Sequence, residues 1–269
     1  MTSVLEPASV VRWARFRSSD GRIGFGVFDG EHIAEYEGDL FGGPRPAGRS
    51  IARDACTLLS PCTPSKIVAL WNNFNALRLK LGKAAPEHPL FFIKPSTSVI
   101  GPDELIRRPC GYTGKIVYEG ELGIVIGRLC KDISPDEAGD YIFGYTCIND
   151  VTASDILNQN IDFPQWSRAK SYDTFGCLGP VIATGLDWPQ LTVVTRLDAL
   201  ERQNYPVSDI IMPPEKLVSL ISRDMSLLPG DVIACGTSLG VGSMKAGSIV
   251  EVRIDGIGTL RNVLEPERP

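Results

Sequence analysis

Two glutamates lie two residues apart inside an apolar strand pattern at residues 116–126. Successive side chains of a strand alternate between its two faces, so Glu119 and Glu121 point to the same side. The other positions on both faces are largely apolar, which is typical of a strand that is buried on both sides. An unpaired ionised carboxylate is costly to bury, and two neighbouring carboxylates also repel each other. A fold that buries this strand must therefore bring a compensating charge to it.

A divalent cation is one source of that charge, because hard oxygen ligands suit Mg²⁺, Mn²⁺ or Ca²⁺. The alternative is an edge strand whose glutamates are solvated or paired with Lys or Arg. A second acidic position favours the cation, since residues 141–150 predict a strand that ends in Asn149-Asp150. We expect Asp150 to be the third ligand, although an Asn-Asp pair more commonly forms a plain turn.

The rest of the chain predicts strands more often than helices. Asp-Gly turn pairs separate short strands over residues 11–36. Helices are predicted at residues 134–137, which carry a capping-box pattern, and at residues 215–223, where apolar residues have helical spacing. Because the strands do not alternate regularly with helices, the pattern favours a mainly β or α+β fold with a mixed or antiparallel core over a doubly wound sheet.

The length of 269 residues allows one large domain with a small appendage. Residues 42–48 are rich in Gly and Pro and predict a loop or linker. We therefore predict a small N-terminal β domain at residues 1–60 and a main domain at residues 61–269.

Composition excludes several classes of protein. A hydrophobic share of 43% and a charged share of 22% exclude wholesale disorder. The net charge of −5, without a basic stripe, gives no support to nucleic-acid binding. There is no apolar run of about 18 residues that would span a membrane, and the first 17 residues lack a signal-peptide pattern. Seven cysteines without a CxxC pair indicate neither a disulfide framework nor a zinc site, so we expect a cytoplasmic protein.

Several motifs, taken in order, resemble the fumarylacetoacetate hydrolase superfamily. The resemblance is clearest in GYTCINDVTA at residues 144–153 and in YEGELGIVIG at residues 118–127. Further similar segments are LFFIKP (90–95), AKSYD (169–173), LPGDVI (228–233), GT (236–237) and GIG (256–258). The similarity extends from about residue 66 to the end of the chain. It implies a mixed β-sandwich roll, usually found in a homodimer, which agrees with the strand-rich pattern.

The resemblance also implies a site and a chemistry. In that family the two strand glutamates and the Asp of the ND pair bind one divalent cation, here Glu119, Glu121 and Asp150, with Mg²⁺ or Mn²⁺ as the expected ion and Ca²⁺ as an alternative. The implied substrate is a small 2-oxo or 1,3-dicarbonyl acid of the acylpyruvate type, which chelates the metal. The metal stabilises the enolate that forms when a C–C bond breaks.

Four further positions are expected to contact the substrate. Lys170 matches the active-site lysine of the family, and its alternative role is that of a structural or surface lysine. Thr237 matches the threonine that hydrogen-bonds the substrate carboxylate, and its alternative is a plain turn residue. Gly236 of the same turn and Asn73 of the lid segment, residues 72–90, complete this expected set.

The lid segment departs from the family pattern. Many hydrolases of the family carry a His-Glu pair there that activates water, whereas this chain has Leu77 and Lys80 at those positions. The chain has two histidines, of which His32 is expected in an exposed loop. His88 follows the lid motif and is a candidate catalytic residue, although a loop histidine usually is not one. The family's Arg after the ND pair is also absent, because the position reads Ser154.

These departures leave several hypotheses open. The first is metal-dependent cleavage of a C–C bond, by hydrolysis or decarboxylation. The absence of the His-Glu pair favours decarboxylation over hydrolysis, because hydrolysis needs a base for water. The second hypothesis is an isomerase that interconverts enol and oxo acids at the same site. A non-catalytic homologue that binds a small acid is third, and a Schiff-base lyase using Lys170 is fourth. Serine hydrolase and nucleotide-binding patterns are not present in the sequence.

Overall fold

The computed structural model describes residues 9–160 and 162–266. Residues 1–8, part of the segment considered above for a signal peptide, lie outside the described residues. The strands are β1 (Val11–Ser18), β2 (Ile23–Phe28), β3 (His32–Glu37), β4 (Arg45–Ala52), β5 (Cys56–Leu58), β6 (Lys66–Trp71), β7 (Leu90–Pro95), β8 (Val99–Ile100), β9 (Leu105–Ile106), β10 (Ile116–Tyr118), β11 (Gly120–Ile126), β12 (Ile142–Asp150), β13 (Thr152–Ala153), β14 (Gly176–Thr184), β15 (Thr192–Leu197), β16 (Leu200–Pro206), β17 (Val232–Ala234), β18 (Gly242–Met244), β19 (Ile249–Ile254) and β20 (Gly258–Leu264). The helices are α1 (Asn75–Lys80), α2 (Pro135–Ala138), α3 (Ser154–Leu157), α4 (Trp166–Lys170) and α5 (Pro214–Asp224).

The strands of the described residues form three sheets. The largest has twelve strands, ten of them in the order β4-β3-β2-β1-β14-β12-β11-β17-β6-β7, with β5 paired to β1 and β8 paired to β14. The second joins β13, β10 and β18, and the third joins β16, β15, β19, β20 and β9. Most pairs are antiparallel, but β17–β6, β14–β8 and β20–β9 are parallel. The predicted fold class, a strand-rich mixed β roll with few helices, is therefore confirmed.

The large sheet closes into a roll. Strand β7 continues through a 3₁₀ turn at Ser96–Ser98 into β8, which pairs with β14 on the other side of the sheet. Because side chains alternate along a strand, one set faces the interior of the roll. That set forms a buried apolar cluster that includes Ile67, Ala69, Phe92, Val125, Ile148, Val232 and Ala234. A larger apolar cluster lies on the opposite face, where the five-stranded sheet and α5 pack.

The predicted turns and helices are confirmed, whereas the loop predicted at residues 42–48 is confirmed only in its first half. The two Asp-Gly pairs lie between β1, β2 and β3 as expected, and Ser134 and Glu137 form the predicted capping box at the start of α2. The helix predicted at residues 215–223 is α5. The loop predicted at residues 42–48 is wrong in its second half, because β4 begins at Arg45 and pairs with β3. Strand pairing there outweighs the turn preference of Gly and Pro, as it can on an edge strand.

The structure also describes the state of the cysteines and the lengths of the helices. All seven cysteines are free thiols. Within the described ranges, no helix is long and apolar enough to span a bilayer. The division at residue 60 stays a prediction, and the sheet itself runs without interruption from β1 to β14.

Candidate metal centre

The backbone brings the three predicted ligands together at the point where two sheets separate. The single strand predicted over residues 116–126 is two strands, since β10 and β11 belong to different sheets and Glu119 lies at the junction. Glu121 is on β11, and Asp150 ends the neighbouring β12. The backbone N–H of Asp150 donates to the carbonyl of Glu119 at 2.9 Å. The break redirects the chain, but it keeps both glutamates beside Asp150.

The three side chains form a compact acidic cluster. One carboxylate oxygen from each of Glu119, Glu121 and Asp150 lies within 4.8 Å of the others. Glu121 and Asp150 are completely buried, whereas the side chain of Glu119 is 17% exposed. The cluster therefore reaches the surface on the side of Glu119. Thr152 donates from its hydroxyl to Oε1 of Glu119 at 2.7 Å and helps to fix that side chain.

Two buried lysines contact the cluster. Nζ of Lys170 lies 2.7 Å from Oδ2 of Asp150 and 2.8 Å from Oε1 of Glu119. Nζ of Lys94 contacts the other oxygen of Asp150 and donates to the carbonyl of Val151 at 3.3 Å. Both lysines are buried. Burial excludes the alternative role of Lys170 as a surface lysine, whereas its expected role towards substrate, like the alternative structural role, stays a prediction.

Glu121 is the carboxylate that the lysines leave uncompensated. Its Oε2 accepts a hydrogen bond from the backbone N–H of Gly236 at 2.9 Å, and its buried Oε1 has no hydrogen-bond partner among the described residues. Burial raises the pKa of Glu121 well above the usual range, and repulsion from Asp150 and Glu119 raises it further. A buried acceptor without a partner is costly, so this oxygen points to a missing ligand.

The other charged groups respond to each other. Burial alone would raise the pKa of Asp150, but Lys170 and Lys94 outweigh it and hold that pKa below its usual range. Burial also acts to lower the pKa of Lys170, but attraction to Asp150 and Glu119 outweighs burial, so the pKa is raised. For Lys94 burial prevails and its pKa is lowered. Asp150 and Lys170 are therefore both ionised at neutral pH.

The donor set fits a divalent cation. When all three carboxylates are ionised, they and the two ammonium groups sum to one negative charge, and the unpartnered oxygen of the cluster belongs to Glu121. A hard cation such as Mg²⁺ or Mn²⁺ prefers carboxylate oxygens and would turn this balance into one positive charge. The lysines contact Asp150 and Glu119 and compensate the charge of these two carboxylates, but neither lysine contacts Glu121 in an ion pair.

The turn at residues 236–237 lies against the cluster. The hydroxyl of Thr237 donates to the carbonyl of Gly120 at 3.0 Å and accepts a bond from Nε2 of Gln203 at 2.8 Å. Gln203 also accepts from the N–H of Gly120 at 2.9 Å. Thr237 is thus engaged with the backbone beside Glu121, and its contact with a substrate carboxylate stays a prediction. Its neighbour Ser238 has a buried hydroxyl oxygen without a partner among the described residues.

Two other predicted site residues are placed less favourably. The side chain of Asn73 donates to the carbonyl of Cys235 and accepts from the N–H of Met212, each at 3.0 Å. It holds the end of β6 next to residue 236, and its contact with substrate stays a prediction. His88 is exposed before β7, and among the described residues the acidic cluster contains no histidine. The catalytic role considered for His88 thus has no support from its position, and it stays untested.

Lys94 and Thr152 contact the cluster but were not among the candidate residues. Both lie in segments that carry the family resemblance, yet nothing in their local sequence indicates a role. Lys94 is 56 positions away from Asp150 in sequence. It reaches Asp150 only because the sheet closes through β8, so a single sequence contains no local signal for this contact.

A family profile confirms the assignment suggested by the motifs. The profile described as fumarylacetoacetate (FAA) hydrolase C-terminal matches residues 66–265. A second profile, described as Rv2993c-like, N-terminal, matches residues 11–61. Among curated relatives, protein Rv2993c of Mycobacterium tuberculosis is 40% identical over 265 residues, which cover 94% of this chain and 97% of that protein.

Two further relatives have named activities. Oxaloacetate tautomerase YisK of Bacillus subtilis is 36% identical over 212 residues, covering 74% of this chain and 69% of that protein. The crystal structure of 2-hydroxyhepta-2,4-diene-1,7-dioate isomerase from Mycobacterium marinum superposes with a TM-score of 0.87 at 37% identity, covering 96% of this chain and 100% of that one. Both names describe isomerisation of an oxo or enol acid.

Proposed function

Because this chain belongs to the fumarylacetoacetate hydrolase family, we propose that it is a divalent-metal-dependent enzyme that interconverts the enol and keto forms of a small 2-oxo acid. The observation that carries the proposal is the acidic cluster of Glu119, Glu121 and Asp150 with its unpartnered oxygen, which lies against Lys170. The names of the tautomerase and isomerase relatives support the reaction type.

Each side chain of the candidate site has a separate role in the proposed reaction. A divalent cation held by Glu119, Glu121 and Asp150 would supply Lewis-acid stabilisation of negative charge on the substrate's oxo oxygen. Lys170 is charged, so in the enol-to-keto direction its Nζ donates a proton to carbon 3 of the substrate, while the enol hydroxyl loses its proton to solvent and Lys170 regains one from solvent. In the reverse direction Lys170 first loses its proton to solvent, and the neutral amine then takes the proton from carbon 3, while the oxo oxygen gains one from solvent. Lys94 contacts the oxygen of Asp150 that Lys170 does not use and keeps Asp150 ionised.

Tautomerisation fits the site better than hydrolysis does. Hydrolysis needs a base for the attacking water, and the two lid positions that would carry it are Leu77, half-buried against the core, and Lys80, exposed. Proton exchange at carbon 3 needs one group that gives or takes the proton there, and Lys170 is available for it, while the proton of the enol oxygen exchanges with solvent.

Cleavage of a C–C bond is the second candidate. Decarboxylation or hydrolysis of an acylpyruvate-type acid develops the same negative charge on the oxo oxygen, so the same cluster would serve it. The identity of the ion, Mg²⁺ or Mn²⁺ with Ca²⁺ as an alternative, and the homodimer implied by the resemblance stay predictions.

The experiment uses purified protein freed of metal with EDTA and then supplied with Mg²⁺ or Mn²⁺. The enol absorbance of oxaloacetate reports tautomerisation, while pyruvate release from oxaloacetate and from acetylpyruvate reports decarboxylation and hydrolysis. We expect metal-dependent tautomerisation that exceeds both cleavage reactions. Lys170→Gln should lower it by roughly 10²- to 10⁴-fold, the usual contribution of a general acid or base.

Other outcomes separate the alternatives. Faster pyruvate release than enol loss would favour a C–C cleaving enzyme. Tight, metal-dependent oxalate binding without turnover would favour the non-catalytic homologue. Trapping of substrate on Lys170 by borohydride would identify a Schiff-base lyase. Without any effect of metal on binding or turnover, the proposal is wrong.

A further inference from the structure

The wall of an aromatic cleft of about 420 Å³ includes Phe92, whose ring contacts Lys170 of the candidate site. Its volume lies within the range of roughly 300 to 1,000 Å³ that small-molecule sites occupy. The cleft is lined by Trp71, Pro89, Leu90, Phe91, Phe92 and Trp166. None of these six side chains carries a charge, whereas the acidic cluster consists of charged groups.

Lys170 connects the cleft with the cluster. Its Nζ lies 5.2 Å from the ring centroid of Phe92 and 2.7 Å from Oδ2 of Asp150. Phe92 and Lys94 are two residues apart on β7 and therefore share a face, and Lys94 contacts Asp150 as well. Trp166 and Lys170 are four residues apart on α4, so they also lie on one side of that helix. Strand β7 and helix α4 thus each contribute at least one residue that lines the cleft and one lysine that contacts the acidic cluster.

Three of the aromatic rings that line the cleft pack against one another. Trp166 stacks on Phe92 with centroids 5.4 Å apart and an interplanar angle of 17°. Trp71 packs against Trp166 at 5.7 Å and 53°. Phe92 is buried, but both tryptophans are half-buried and Leu90 is 41% exposed. When a ligand covers apolar surface that is in contact with water, the removal of that surface from water favours binding.

Charge limits which ligand can cover it. With a divalent cation in place, the acidic cluster and its two lysines carry one positive charge, which the single carboxylate of a chelating 2-oxo acid neutralises. A second carboxylate would have to enter the uncharged cleft and lose its hydration without a partner there, which is costly. An apolar group would instead bury the exposed faces of Trp71 and Trp166.

We propose that the aromatic cleft binds the distal group of the substrate and that this group is apolar, preferably aromatic. The inference rests on the proposed function, because it names the substrate class of the same site. The substrate is then a 2-oxo acid whose carbon 3 carries an aryl or alkyl substituent, with its oxo-acid end at the acidic cluster.

The test compares enol–keto interconversion of phenylpyruvate and oxaloacetate by the metal-loaded protein. We expect kcat/KM to be at least ~10-fold higher for phenylpyruvate, the lower end of what a well-filled apolar pocket discriminates. Trp166→Ala should lower kcat/KM for phenylpyruvate by roughly tenfold or more, mainly through KM, and leave oxaloacetate within about twofold. Trp166→Phe should retain most of the activity towards phenylpyruvate.

A binding measurement gives a readout besides activity. Phenylpyruvate with Mg²⁺ should change the tryptophan fluorescence, whereas oxalate with Mg²⁺ should change it little. Trp71→Phe combined with Trp166→Phe should abolish the change. Trp188→Phe is the matched control, because Trp188 lies in the 3₁₀ turn Trp188–Gln190, where its indole N–H donates to Glu215 at 3.1 Å. That control should retain the fluorescence change.

Several results would overturn the inference. A preference for oxaloacetate that His88→Ala abolishes would mean that a distal carboxylate is held by the lid. Equal loss of both activities in Trp166→Ala would reduce Trp166 to a structural role. A fall in molar mass of that variant by light scattering would place a second copy of the chain on the cleft.

These outcomes can be distinguished from failure of the proposed function. If oxaloacetate is turned over with metal but phenylpyruvate has no advantage, only the inference about the cleft is wrong. If neither acid is turned over and neither metal stabilises the protein, the proposed function is wrong as well.

Discussion

Asp231 and Glu121 are both completely buried, and they lie on two segments that meet in the same sheet, since β17, which follows Asp231, pairs with β11. The two carboxylates have very different surroundings. Both oxygens of Asp231 are satisfied: Oδ1 accepts from the backbone and hydroxyl of Ser65 and from the backbone of Lys66, and Oδ2 contacts Nζ of Lys66 and accepts from the backbone of Leu228. Glu121 has one such bond, from Gly236, and one oxygen without a partner among the described residues.

The pKa directions express the same difference. Burial would raise the pKa of Asp231, but the N–H of Leu228 together with Lys66 and Ser65 outweighs burial and lowers the pKa. Burial and two neighbouring carboxylates raise the pKa of Glu121. The ionised form of Asp231 therefore stabilises the fold, whereas the ionised form of Glu121 lacks a partner for one oxygen among the described residues, and we expect a cation to provide it. Hydrogen-bond satisfaction, and not burial, separates a structural carboxylate from one that is kept for a ligand.

The largest expected effect concerns activity. Glu121→Gln keeps the size of the side chain but removes a ligand charge, so we expect metal-dependent tautomerisation to fall by about 10³-fold or more. That exceeds the roughly 10- to 100-fold cost of losing an outer-shell partner. Asp231→Asn is the matched control and should retain kcat per folded molecule. Comparable loss of kcat in both variants would remove the distinction between the two carboxylates.

The second effect concerns stability without metal. Asp231→Ala leaves the N–H, ammonium and hydroxyl donors around it without their acceptor, and we expect the free energy of unfolding to fall by about 3 kcal/mol. Glu121→Gln removes an uncompensated buried charge, so its free energy of unfolding at pH 7 should equal or exceed that of the wild type. Urea denaturation in EDTA measures both values. A large destabilisation by Glu121→Gln would show that Glu121 is structural too.

The third effect is the response to metal. A ligand present at 100 times its Kd stabilises the folded state by about 2.7 kcal/mol, which for a chain of this size raises Tm by several degrees. We expect Mg²⁺ or Mn²⁺ to produce this shift in the wild type and in Asp231→Asn, and not in Glu121→Gln. Differential scanning fluorimetry provides the measurement, and a shift that persists in Glu121→Gln would place the ion elsewhere.

The smallest effect is a difference in pH dependence. The raised pKa of Glu121 means that the metal-free folded protein binds this proton more readily than the unfolded chain does. Its contribution to stability therefore grows as pH falls from that raised pKa towards the unfolded value of about 4.3. The lowered pKa of Asp231 has the opposite consequence: its contribution is present above about pH 3.9 and is lost as pH falls through the folded pKa.

Urea denaturation in EDTA across a pH series tests these signs. Between pH 7 and 5, the difference in unfolding free energy between Glu121→Gln and the wild type should narrow. The difference between Asp231→Asn and the wild type should change only below about pH 4. Parallel curves for the two variants would contradict the assigned pKa directions.

Sequence reasoning located the acidic cluster because local alternation places Glu119 and Glu121 on one side and a strand end supplies Asp150. It did not foresee the break between β10 and β11, since the residues on either side of Glu119 continue the same apolar pattern. Lys94 could not be predicted, because its contact with Asp150 depends on closure of the sheet through β8. The aromatic cleft likewise combines residues of β6, β7 and α4, which the linear order keeps apart.

The continuity of the large sheet has a consequence for deletion variants. Residues 11–13 of β1 pair with Thr184, Ala183 and Ile182 of β14, so the N-terminal strands cover a border of the roll that holds the acidic cluster. A chain that began only after residue 60 would expose the N–H and C=O groups of that border, which then form a template for pairing with other chains. Self-association, more than loss of chemistry, is the expected defect of such a truncation.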